Sequence, residues 1–215
     1  MIMTELAQGG WVMVPLLLGS IVAFAVILER ALYFLQLEWG GDAFKSKLQG
    51  LLQEGKRAQA VEWLGSLKGP IPAVLAAGLN QWPNGPGAIE ASMGAQARRM
   101  QPHLFNYIPV LETAVTASPL VGLLGTILGM MGVFHVVAER LAHNPNADTN
   151  GITAGIGEAL ISTASGIFLA VVSLLFNNLF VRLAETQIER AESMGADLLA
   201  SYHASLPAAP EVARP

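Results

Sequence analysis

Three predominantly apolar stretches, residues 11–35, 108–137 and 152–181, constrain this chain more than any other feature. Crossing a hydrocarbon core roughly 30 Å thick takes on the order of 20 helical residues, and each stretch exceeds that. They predict an all-α, polytopic membrane protein with three transmembrane helices, the second and third long enough to continue into the cytoplasm. Trp11 and Tyr33 sit near the two ends of the first stretch, where aromatic belts form. The preceding MIMTELAQGG carries no positive charge, so the first stretch reads as a retained helix rather than a cleaved signal.

Composition narrows the function classes. Hydrophobic residues make up 53% of the chain and charged residues 13%, more apolar than an average soluble domain. The Lys and Arg residues form no block or aromatic-interleaved stripe, so nucleic acid is not an expected partner. With no cysteine, thiolate metal sites and a cysteine nucleophile are excluded. The histidines at 103, 135, 143 and 203 include no i,i+4 pair that would place two imidazoles on one helix face. No metal or other cofactor is expected. There is also no nucleophile with a base, phosphate-binding Gly loop or paired carboxylates at a soluble pocket, so an enzyme is not expected either.

The expected organisation is an outer N-terminus with the first span (1–35), a cytoplasmic helical region (36–107), the second span (108–137), an external loop (138–151), the third span (152–181) and a cytoplasmic C-terminal helix with a disordered tail (182–215). Within 36–106, apolar residues recur at helical spacing. Gly and Pro clusters at 69–72 and 83–87 punctuate an expected three short helices. Orientation follows from basic residues, which favour the cytoplasmic side. Lys45, Lys47, Lys56, Arg57, Lys68, Arg98 and Arg99 lie between the first two spans, Arg182, Arg190 and Arg214 follow the third, and the 138–151 connection holds only Arg140.

Gly122, Gly125, Gly129 and Gly132 step by threes and fours along the second span, forming a stripe that lets another helix backbone approach. Gly155, Ala159, Ser162, Gly166, Ala170, Ser173 and Asn177 repeat the pattern on the third. Packing alone would account for both stripes. Polar residues in the same spans, among them Thr126, Glu158, Ser162 and Thr163, suggest more. A carboxylate at a helix centre costs about 2.5–3.5 kcal/mol on insertion scales, so Glu158 should face a bundle interior or a wet cavity. It lies about 9 Å beyond Ile152 at 1.5 Å per residue, shallow enough for partial hydration. The hydroxyls could order water or pass a proton, or could bond their own i−4 carbonyls. Glu112 should reach the cytoplasmic interface or a neighbouring subunit. Glu29 and Arg30 read as an interface anchor, and His135 and His143 as solvated or capping residues.

These residues resemble a known family. The run ASPLVGLLGTILGM from Ala117 to Met130, followed by Phe134, looks like the second-span signature of the ExbB/TolQ branch of the MotA/TolQ/ExbB proton-channel family. The run GIGEALISTASG from Gly155 to Gly166, followed by Ala170 and Asn178, looks like its third-span signature. Pro15 to Tyr33, ending LERALY, is similar to its first span, so the resemblance covers most of residues 11–185. It implies a homopentameric ring in the bacterial inner membrane whose pore is lined by the second and third spans. A dimer of a single-span ExbD/TolR-type partner would sit inside, with a TonB/TolA-type protein as a further partner. By motif, Thr126 and Thr163 match the family's pore-facing threonines and Glu158 its glutamate at the outer end of the pathway; Ser162 adds a hydroxyl beside them.

Two departures stand out. Val172 replaces an expected proline, which implies a straighter third helix, and Asn177-Asn178 replaces Tyr-Asn, adding an amide near the inner mouth. The oxygen-rich lining leaves sodium open beside protons. The expected function is therefore an ion-conducting subunit coupling ion-motive force to work on the cell envelope, such as TonB-type transport or Tol-type maintenance. A non-conducting structural scaffold and a gliding-type motor, possible with sodium, are the alternatives. A secondary transporter would show repeated halves or broken helices, and neither is visible.

Overall fold

The computed structural model describes residues 11–143 and 150–205. Expectations for the first ten residues, for 144–149 of the external loop and for 206–215 of the tail lie outside the described residues. Among the described residues all regular structure is helical. It comprises α1 (Met13–Leu35), α2 (Asp42–Gln53), α3 (Arg57–Gly65), α4 (Pro70–Asn80), a 3-10 turn (Trp82–Asn84), α5 (Pro86–Phe105), α6 (Ile108–His143) and α7 (Asn150–Ser205). The chain divides into two compact units. One holds α1 to Ala31 and Tyr107–Phe180; the other holds Leu32–Asn106 and the chain from Val181.

The first unit contains α1, α6 and the first half of α7. Among the described residues three helices are long and apolar enough to cross a membrane, as expected. Their outward faces settle the solvent: Phe24, Phe134 and Phe168 are 67%, 65% and 71% exposed, a surface that water would drive into association and that acyl chains accept. Small residues face inward instead. Ser118, Gly122, Gly125, Gly129 and Val133 are buried along α6, and Ala159, Ser162, Gly166, Ala170 and Ser173 along α7, both at the three-and-four spacing of one helix face.

Arg30 departs from the interface-anchor reading. It is only 2% exposed. Its guanidinium bonds the adjacent Glu29 carboxylate and stands 5.5 Å from the centroid of the Tyr107 ring, a cation–π arrangement that partly replaces hydration. Tyr107 has φ 60°, the only non-glycine left-handed residue among those described. It follows Asn106 in the two-residue break separating α5 from α6.

The second unit packs α2 to α5 and the end of α7 around Phe44, Leu48, Leu64, Ile71, Leu75 and Ile89, with Ala191, Met194 and Leu198 supplied by α7. Where three helices were expected between residues 36 and 106, there are four and a 3-10 turn. The extra break falls at Gly55, whose φ of 70° costs a residue without Cβ little. The predicted Gly/Pro punctuation starts α4 at Pro70 and α5 at Pro86, each proline in the first helical turn, where its missing N–H has no intrahelical partner to lose. The α7 segment buries Ala184, Gln187, Ala191, Met194 and Leu198, so its apolar period carries the helix well past residue 181. Arg190 fixes the strand of chain after α1: its Nη1 donates to the Trp39 carbonyl at 2.8 Å.

Candidate functional site

The site is the seam where α6 and α7 meet. A Cβ on Gly122 would lie 2.9 Å from the Ser162 carbonyl and 3.1 Å from the Thr163 Cα, and one on Gly129 would lie 2.9 Å from the Gly155 carbonyl. On the facing helix, a Cβ on Gly166 would come within 2.5 Å of the Ser118 carbonyl and 3.1 Å of the Gly122 Cα. Backbone meets backbone along the seam, as membrane helices with small-residue faces permit. At Gly125 the obstacle is a side chain, the Ser162 Cβ at 2.5 Å.

Gly132 stands outside this seam. A Cβ there meets nothing within 4 Å. Ten residues from Gly122, it lies about 80° short of three full turns at 100° per residue, whereas Val133 lies within about 20° of Gly122. By that point Val133 has taken over the seam, buried to 5% and placed 2.7 Å from where a Gly155 Cβ would be. Gly122, Gly125, Gly129 and Gly166 do face the partner helix.

The hydroxyls have three different fates. Ser162, fully buried, donates to the Glu158 carbonyl at 2.9 Å, the i−4 bond considered from sequence. Thr163 instead donates across the seam to the Gly122 carbonyl at 3.0 Å, tying the helices together at their closest approach. Thr126, partly exposed at the edge of the seam, donates to the Leu123 carbonyl at 2.7 Å. Each hydroxyl proton is thus committed, while the oxygen lone pairs remain able to accept from water.

Glu158 is half-buried, and its carboxylate has no hydrogen-bond or ion-pair partner among the described residues. Five residues separate it from Thr163, about 140° around a helix at 100° per residue, so the two flank opposite sides of the seam within one chain. Glu112 is exposed, also without an ion pair among the described residues, and His135 is exposed as well. No group of three potential metal-ligating side chains occurs among the described residues.

Sequence reasoning assigned no role to Ser118, whose carbonyl abuts Gly166, nor to the burial of Arg30. The first had a signal, since Ser118 lies four residues before Gly122 on the same stripe. Arg30 had none, because its aromatic neighbour is 77 residues away in the chain.

Comparison with known proteins identifies the family. Residues 66–193, more than half of the chain, match the MotA/TolQ/ExbB proton channel family. A Synechocystis protein named ExbB-like 3 is 31% identical over 172 residues, 80% of this chain and 81% of that one. The biopolymer transport protein ExbB of Neisseria meningitidis serogroup A is 25% identical over 87% of this chain and 88% of its own. The Tol-Pal system protein TolQ of Pseudomonas aeruginosa is 32% identical over 115 residues, 54% of this chain and 48% of its own. Three apolar helices, a glycine seam carrying threonine and glutamate, and these matches lead to one conclusion: the chain is an ExbB/TolQ-type member of the MotA/TolQ/ExbB proton channel family.

Proposed function

We propose that this protein is the ring-forming, proton-conducting subunit of an inner-membrane motor that couples ion-motive force to work on the cell envelope. The observation that carries the reading is Glu158: a half-buried carboxylate in a membrane-spanning helix with no protein partner among the described residues. Such a group needs water, an ion or a neighbouring subunit beside it. A ring supplies all three. Neighbouring copies enclose a wet interior, and the Thr126 and Thr163 oxygens accept hydrogen bonds from water along it. In the pentamer that the family resemblance suggests, a dimer of an ExbD/TolR-type single-span protein occupies that interior. A TonB- or TolA-type protein receives the resulting movement. The N-terminus lies outside and the C-terminus in the cytoplasm, as the Lys and Arg distribution favours.

The separation of Glu158 from Thr163, about 140° around α7, favours proton relay through water over direct sodium ligation, because a cation needs oxygens gathered around one point. The natural absence of cysteine gives a clean test. Single Thr126→Cys and Thr163→Cys variants in the assembled ring should react with a membrane-impermeant cationic thiol reagent and lose motor output on modification, whereas Phe24→Cys should stay unlabelled. Labelling of Phe24→Cys alone, or unchanged output after complete modification of both threonine positions, would leave a scaffold without conduction as the better reading.

A further inference from the structure

Two buried polar atoms on α7 have no use in the site above. Ser173 is fully buried, and neither its Oγ nor the Oδ1 of Asn177 has a hydrogen-bond partner. The two residues stand one helical turn apart in the membrane-spanning half of α7, on the face that carries Ala159, Ser162, Gly166 and Ala170. Ser162 on this same face satisfies itself through the i−4 carbonyl; Ser173 does not. The groove lined by Ser173 is mostly apolar, with Ala23, Phe24, Ile27 and Val172, and its other hydroxyls, Ser20 and Ser165, make no hydrogen bond to Ser173. Water-free hydrocarbon makes an unsatisfied polar atom costly, which favours a partner from outside the polypeptide for both.

We infer that Ser173 and Asn177 hold one ordered water molecule inside the membrane-spanning unit, bridging the serine hydroxyl and the asparagine carbonyl oxygen. Side chains at i and i+4 lie about 5–6 Å apart at Cβ, and a water making two hydrogen bonds of about 2.8 Å spans such a gap. Buried waters of this kind take two to four polar partners. A metal cation is a poorer fit: hard cations gather about six oxygens, whereas this site offers two side-chain oxygens on a helix whose carbonyls are engaged in its own ladder. Ser173 lines the edge of an open groove of about 790 Å³, room enough beside it for a molecule whose share of liquid volume is about 30 Å³. The site goes beyond the conduction proposal and stands whether or not the ring conducts.

Water-edited solid-state NMR on the full chain in liposomes tests this directly. At short mixing times, magnetisation transfer from water should be several-fold stronger at Ser173 and Asn177 than at their neighbours Val171, Val172 and Leu174. Ser173→Ala should reduce the transfer at Asn177 by at least half, with its intensity restored in Ser173→Thr. Should Ser173→Ala fail to fold, the wild-type contrast decides alone. Equal transfer at all five positions would overturn the inference, whether at the low level expected of a hydroxyl turned onto the Leu169 carbonyl or at the high level of an open wet crevice. A shift of the Asn177 side-chain resonance on replacing potassium by sodium would assign the site to a cation and overturn it as well.

Discussion

Replacing Gly166 by alanine tests the seam at its tightest point. The added Cβ would lie 2.5 Å from the Ser118 carbonyl oxygen, 3.1 Å from the Gly122 Cα and 3.2 Å from the Gly122 nitrogen. All three are backbone atoms, so no rotamer change relieves the contact. Ordinary contact begins near 3.4 Å, and α6 and α7 must therefore separate locally by about 0.9 Å. The Thr163–Gly122 bond, 3.0 Å long, then stretches toward 3.9 Å and is lost. Overpacking of this kind costs about 1–3 kcal/mol, and an interhelical hydrogen bond in a membrane about 0.6–1.7 kcal/mol. A combined loss of about 2–4 kcal/mol follows, which lowers the folding equilibrium constant at least about 30-fold. Reversible unfolding of the chain in mixed micelles, titrated with a denaturing detergent, would measure it. Gly132→Ala is the internal control: its Cβ enters open space, and alanine's higher helix propensity, about 1 kcal/mol, should leave stability equal or raised. Equal stability of Gly166→Ala and wild type would refute the backbone-to-backbone seam, as would a loss of the same size in Gly132→Ala.

Other predictions follow the same geometry. Thr163→Ala should assemble normally yet lose most motor output, while Thr163→Ser, which keeps the hydroxyl, should retain it; an envelope-function assay in cells separates the two, and full output from the alanine variant would remove Thr163 from the pathway. Glu158→Gln should fold, since the carboxylate has no protein partner among the described residues, but weaken output; size-exclusion chromatography showing aggregation instead would assign Glu158 a structural role. In the second unit, Leu75→Ala removes a fully buried side chain from the core and should cost about 2–5 kcal/mol, read as a lowered unfolding midpoint, while α1 and the α6–α7 seam keep their protection from hydrogen exchange. Unchanged stability there would contradict the core assignment.

The membrane-spanning fold was legible in the sequence because length and apolarity alone decide it, and the α7 seam because its small residues keep true helical phase from Gly155 to Asn177. Gly132 misled for the opposite reason: residue identity continued the stripe after helical phase had moved on to Val133. Helix ends were harder. The third span was expected to continue past the apolar run into a C-terminal helix; that the two form one unbroken helix to Ser205 follows from Ala184, Ala191, Met194 and Leu198, which give its second half an apolar face in the other unit. The extra break at Gly55 was hidden inside a segment whose apolar spacing reads as continuous helix. At the site, identity and spacing marked Thr163 and Ser162 equally; that one bonds across the seam and the other to its own helix depends on which faces α6, which only the packed pair reveals. Arg30 reads from sequence only as an interface anchor, and its burial was not legible because the Tyr107 ring beside it reaches it only once the fold has formed.

The most direct test of the account is proton flux into liposomes holding this protein with its single-span partner, driven in turn by a proton gradient and by a sodium gradient, with Thr163→Ala alongside. The account predicts flux under the proton gradient that needs the single-span partner and collapses in Thr163→Ala, with no movement of sodium. A verified, fully assembled complex that passes no protons, or one whose flux is untouched by Thr163→Ala, would contradict it.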